Sequence, residues 1–157
     1  MSEKIDDFRA KWTGSEFVSR EGNVFAAPQW FKDGLGDVAL DGGLFLGRGM
    51  FYGIRGAMRD GWHGLTFQVF DAPDHAGTFR QRLAFLQTLS LPPHVQPVEH
   101  IRCNGTVHLI EYANAVCDAG GEGAVVRNPR ARWAAGRSDD VLRFVPQCPS
   151  INRRKVA

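Results

Sequence analysis

The stretch Ser2-Glu3-Lys4-Ile5-Asp6-Asp7-Phe8-Arg9 sets one lysine among three acids, with an arginine five residues beyond it. Such a lysine is either a nucleophile or an ordinary surface charge. A free lysine, with a pKa of ~10.4, is mostly protonated at neutral pH. Its amine becomes nucleophilic when it is desolvated or placed near cations. Further groups with chemical potential are Asp41, inside an apolar run, and Asp71, at the end of an alternating one. The five histidines are scattered, and His100 with Cys103 does not make a zinc site.

The elements that must position these groups are short. Arg9 to Trp12 and Glu16 to Val18 read as strands joined at Thr13-Gly14, where glycine tolerates a positive φ. Gly22-Asn23 makes a second tight turn. Pro28-Gln29-Trp30-Phe31 reads as a short packed helix. Ala39 to Leu46 is a buried strand holding Asp41 at a glycine kink. Residues 47–64 contain six glycines and read as loop with one helical turn. Leu65 to Phe70 alternates and ends on Asp71. Phe79, Leu83, Leu86 and Leu89 share a helix face behind a Thr78 N-cap, and Pro92-Pro93 follows. Val95 to Arg102 is a strand candidate. Thr106 to Ala119 is an amphipathic helix with Val107, Ile110, Ala113 and Val116 on its inner stripe, closed by Gly120-Gly121. Ala124 to Val126 and Val141 to Val145 are strands. Helices laid on antiparallel strands make an α+β domain.

A chain of 157 residues with 43% hydrophobic content suits one domain with a real core. Net charge is only +2, but it is unevenly spread. From Arg127 onward eight basic residues face two acids, while residues 1–126 carry a local charge of −4. A basic C-terminal third suits nucleic acid or nucleotide phosphates, or it is a solvated surface with a frayed tail. Three cysteines without CxxC spacing argue against a disulfide framework and fit a reducing, cytoplasmic compartment. No apolar run is long enough to span a membrane, and no signal peptide is visible.

Together the segments resemble the nucleotidyltransferase domain of ATP-dependent DNA ligases, closest to the smallest bacterial and phage members. The family motifs K-x-D-G-x-R, S-R-x-G-N, L-D-G-E-L, F-D, E-G-x-x-x-R and K-x-K have counterparts here in the same order. These are Lys4-Ile5-Asp6-Asp7-Phe8-Arg9, Ser19-Arg20-Glu21-Gly22-Asn23, Leu40-Asp41-Gly42-Gly43-Leu44, Phe70-Asp71, Glu122-Gly123-Ala124-Val125-Val126-Arg127 and Arg143-Phe144-Val145. Two more stretches, Phe25 to Phe31 and Gly136 to Asp140, also look like the small-ligase pattern.

The resemblance implies an α+β, ATP-grasp-like adenylation fold of antiparallel sheets flanked by helices, over residues 1–147. A basic tail, 148–157, is too short to form the OB-fold domain that follows in the family. Lys4 would attack the α-phosphate of ATP and carry AMP, which then passes to the 5′-phosphate at a DNA nick. Asp6, Arg9, Phe70 and Arg143 would bind the nucleotide, with Phe70 stacked on adenine. Asp41 and Glu122 would hold magnesium or manganese. Arg20, Arg127 and Arg137 would contact nicked DNA or another nucleic acid.

Four motif positions depart from the pattern. Asp7 replaces a glycine, Gly43 a glutamate, Arg143 a lysine, and Val145 a second lysine. Arginine keeps the charge without the compact ammonium, and valine deletes a phosphate contact. One charge-assisted hydrogen bond is worth roughly 1.5–3 kcal/mol. Losing two or three would cost on the order of 10²–10⁵ in rate if each acted in the transition state. The expected functions are therefore a minimal ligase of reduced activity, or a lapsed ligase fold that binds nucleic acid, nucleotide or a protein partner. A remnant whose missing part lies in another chain is the third.

Overall fold

The computed structural model describes residues 1–136 and 138–147. Arg137 and the expected tail, 148–157, fall outside the described residues. The strands are β1 (Ser2–Glu3), β2 (Phe8–Trp12), β3 (Phe17–Val18), β4 (Leu40–Phe45), β5 (Thr66–Asp71), β6 (Val95–Pro97), β7 (Ala124–Arg127) and β8 (Val141–Phe144). The α-helices are α1 (Gln29–Lys32), α2 (Ile54–Arg59), α3 (Phe79–Leu86) and α4 (Thr106–Asp118). One sheet has the order β3-β2-β4-β5-β6 and the other β1-β7-β8. The expected α+β architecture is the one observed. Every pairing is antiparallel except β5 with β6, which is parallel.

Alternation along the strands divides the larger sheet into two chemically distinct faces. Ala10 and Trp12 on β2, Leu40 and Leu44 on β4, and Phe67 and Val69 on β5 enter one buried core. Phe17 is its hub. Its ring lies 5.1 Å from Trp12, 5.6 Å from Phe31, 5.8 Å from Trp62 and, edge-on, 4.9 Å from Phe67. Each such buried side chain contributes on the order of 1.5–3 kcal/mol. Trp62 takes a φ of 69°, unusual for a bulky residue, and is fully buried. Core packing of the indole offsets that backbone strain. The opposite face of the sheet is polar and looks toward β1, β7 and β8.

Several local departures have clear causes. α3 begins at Thr78 through a reciprocal capping box with Gln81. Its α-helical pattern stops at Leu86, beyond which the Thr88 and Leu89 N–H groups bond three residues back, to the Phe85 and Leu86 carbonyls at 2.9 and 3.3 Å. β6 is a three-residue edge strand that tolerates Pro97, because the bonds to β5 come from its neighbours, the Val98 N–H donating to the Val69 carbonyl at 2.7 Å. On α4 only the second half is buried, through Ala113, Val116 and Cys117. Val107 and Ile110, expected on the same stripe, are exposed. Cys103 is a free thiol. No helix among the described residues is long and apolar enough to cross a membrane.

Candidate active site

β1 is only two residues long, yet it fixes Lys4. Ser2 pairs with Val125 and Glu3 with Ala124. The Lys4 backbone N–H then donates to the Gly123 carbonyl at 2.8 Å. Glu122 immediately precedes Gly123, so this register brings the two side chains together, and the Lys4 ammonium donates to the Glu122 carboxylate. A second tie holds β1 from the other side. Arg48 grips Glu3 through two hydrogen bonds, of 2.9 and 2.7 Å, and donates to the Ala119 carbonyl beyond α4.

Gly123 has a φ of 141°, and a Cβ there would lie 2.4 Å from the Phe144 carbonyl oxygen. The turn that presents Glu122 therefore requires glycine. Lys4 opens onto a cleft of about 280 Å³ lined also by Asp6, Asp7, Arg9, Phe70, Val125, Arg127 and Arg143.

The polar face of the larger sheet forms the opposite wall. Arg9 on β2 donates to Asp41 on β4. Its guanidinium lies 4.5 Å from the centroid of the Phe70 ring, and that of Arg127 lies 5.2 Å away. Burial pushes the Asp41 carboxyl above its usual range, against the pull of Arg9 and Arg127. Behind Phe70, Asp71 receives Arg82 at 2.6 and 3.1 Å and Arg127 at 3.3 Å. Asp71 and Arg82 are both almost fully buried. Removing one partner of such a pair costs about 3–5 kcal/mol, because the other charge stays buried. The Arg127 Nε is buried with no hydrogen-bond partner among the described residues.

The remaining candidates are less concentrated. Arg143 lies opposite Val125 in the β7–β8 ladder and is exposed at the cleft. Val145 is half exposed beyond β8. Arg20 sits away from the cleft, on an exposed turn in which the Ser19 hydroxyl accepts the N–H groups of Glu21 and Asn23. Arg137 is outside the described residues. Asp7 lies over Gly43, and its carboxyl is pushed up to about 6, chiefly by burial, against the pull of Arg9 and Lys4.

One feature escaped the sequence: Arg82 is the principal partner of Asp71. The helix pattern gave a partial signal for Arg82, since its position beside Leu83 puts a charge near the buried stripe.

Among the described residues no three of His, Cys, Asp and Glu group together as a metal site. Asp41 is engaged by Arg9 and Glu122 by Lys4. These residues do not form a resident metal cage. They suit at most magnesium arriving on nucleotide phosphates, where one or two protein carboxylates suffice. A larger cavity of about 1020 Å³ lies beyond Val126, lined by Phe79, Leu83 and His100. Of the candidate residues only Arg127 reaches it. Burial there pushes the His100 imidazole down to about 4.

Comparison with known proteins agrees with the fold. No family model matches the chain. It is 35% identical over 151 residues to a DNA ligase of Haemophilus influenzae, covering 92% of this chain and 56% of the relative. A solved structure from a structure–function study of DNA binding by Lig E DNA ligases superimposes with a TM-score of 0.85. The identity is 29%, over 92% of this chain and 60% of the other. Chlorella virus DNA ligase-adenylate shares the fold, with a TM-score of 0.75 and 18% identity, over 92% of this chain and 59% of the other.

In fold and in the order of its motifs the chain matches the nucleotidyltransferase domain of ATP-dependent DNA ligases. The chain spans between half and two thirds of the length of these three ligases.

Proposed function

We propose that this domain transfers AMP from ATP to Lys4, as the first step of joining a nick in DNA. The observation that carries it is the contact between Lys4 and Glu122 at the mouth of a cleft walled by Arg9, Phe70 and Arg127. Lys4 Nζ attacks the α-phosphorus of ATP, a P–N bond forms, and the bond to the β-phosphate breaks to release pyrophosphate. The amine must lose protons for this, and Glu122 is the acceptor within reach. Arg9 and Arg143 oppose the phosphate charge, and the base stacks against Phe70. Magnesium carried on the nucleotide, or manganese in its place, would offset charge on the leaving pyrophosphate.

AMP then passes to the 5′-phosphate at the nick, with Arg20, Arg127 and Arg137 as the proposed nucleic-acid contacts. Residues 1–147 form the catalytic unit in this scheme, acting in the cytoplasm. Val145, which puts a half-exposed apolar side chain where a cation would meet phosphate, favours reduced turnover. It also favours a second reading, a binding protein that retains the fold and engages nucleic acid, nucleotide or a protein partner.

The test is incubation with α-labelled ATP and magnesium or manganese, followed by a denaturing gel. Label should stay with the wild-type protein and be absent from Lys4→Ala. A folded wild type that takes no label overturns adenylyl transfer in favour of the binding protein.

A further inference from the structure

Two of the departures in the sequence meet in space. Gly43 lies opposite Arg9 in the β2–β4 ladder. Opposed residues project to the same face, as do residues two apart along a strand. Position 43, Arg9 and Asp7 therefore share the polar wall of the cleft. A Cβ built on Gly43 would lie 2.2 Å from the Asp7 Cγ, 2.4 Å from its Oδ2 and 2.5 Å from its Cβ.

The last of these distances decides the matter. Turning the Asp7 side chain to another rotamer moves its carboxylate but leaves its Cβ in place. Any residue at position 7 other than glycine therefore meets a side chain at 43 so closely that the backbone must shift to admit it. The backbone of Gly43 itself is not left-handed, so nothing else there demands glycine. Asp41, Asp71 and Glu122 are each ion-paired. Asp7 instead faces the cleft beside Lys4, with Arg9 and Lys4 acting on it through charge alone.

Resting on the nucleotide reading above, we infer that Asp7 and Gly43 are a reciprocal pair in which the Asp7 carboxylate, seated in the space of the missing side chain, accepts a hydrogen bond from a ribose hydroxyl of the nucleotide. The placement follows from the two ends of the ligand. The base belongs at Phe70 and the α-phosphate at Lys4, so the sugar lies between them along this wall. A carboxylate there can come from position 7 or from position 43, but not from both without a backbone shift.

The experiment is a double-mutant cycle of wild type, Asp7→Gly, Gly43→Glu and the double variant. Thermal unfolding reads the packing. Gly43→Glu should lower Tm by roughly 5 °C, as overpacking does in a domain of this size. Adding Asp7→Gly should restore most of that loss, and additive shifts would overturn the reciprocal fit.

Labelling with ATP and with 2′-deoxy-ATP reads the ligand contact. Wild type should prefer ATP by about tenfold, the scale of one charged hydrogen bond. Asp7→Gly should lose that preference and the double variant regain it. An unchanged ratio in all four overturns the role of Asp7. A wild type that takes no label overturns adenylyl transfer instead. Asp7 is then judged by equilibrium binding of ATP, where equal affinity in all four proteins overturns its role and tenfold weakening in Asp7→Gly, restored in the double variant, supports it.

Discussion

Asp7 keeps its proton to higher pH when folded than when unfolded, because burial disfavours its charge more than Arg9 and Lys4 favour it. Asp6 and Asp41, which also face it, push in the same direction as burial. The sign of the stability effect follows. Its carboxyl titrates near 3.8 in the unfolded chain and at about 6 in the folded one. Between those values the folded state binds more protons, so stability falls as pH rises and levels off above about 6. Asp7→Asn cannot ionise and escapes that loss. The variant should match wild type near pH 4 and exceed it at pH 7.5, by up to ~3 kcal/mol. Denaturant melts at the two pH values check this, and a gap that does not change with pH would refute it. The candidate residues were proposed from six motifs standing in the family's order. A lysine among acids, a glutamate next to glycine or an aromatic before aspartate, each taken alone, is as well read as surface or core.

At the scale of elements, the site depends on β1 and β7 being zipped together at Gly123. The Lys4 N–H closes on its carbonyl, while the positive φ of Gly123 clears the carbonyl of Phe144 on β8. Gly123→Ala should cost about 1–3 kcal/mol through backbone strain. Labelling of Lys4 should fall at least tenfold even where the protein remains folded, because Glu122 is carried on the same turn. Circular dichroism and a labelling time course test both parts, and normal labelling would show that the turn does not position Glu122. Helix periodicity made α3 legible, and its capping box marks its first residue. β1 was not legible, because two residues carry no alternation and acquire a conformation only from β7. The inner stripe of α4 was half misjudged for a related reason. Periodicity gives the face of a helix, while how much of that face is covered is a tertiary fact.

At the scale of the whole molecule, positive charge is divided between the cleft and the surface. Arg127 is turned inward onto Asp71, Phe70 and Phe79, whereas Arg20 stands on an exposed turn. In the proposed complex an exposed arginine acts through phosphate neutralisation and counterion release. Arg20→Ala should weaken binding of nicked duplex DNA without regard to its sequence, and should reduce the slope of log K against log salt by about 1. Binding isotherms at several salt concentrations measure this, and an unaltered slope would remove Arg20 from the interface.

The amino-acid sequence by itself determined the α+β class and the motif order on which the proposed chemistry rests, since residue types, their order and hydrophobic periodicity are written along the chain. Only the tertiary structure decided which groups touch. Register between β2 and β4 lays Asp7 over Gly43, and pairing of β1 with β7 carries Lys4 to Glu122. The burial of Arg82 against Asp71 likewise depends on how α3 lies across β5. Those contacts join distant segments through packed volume and strand register, neither of which any local pattern records.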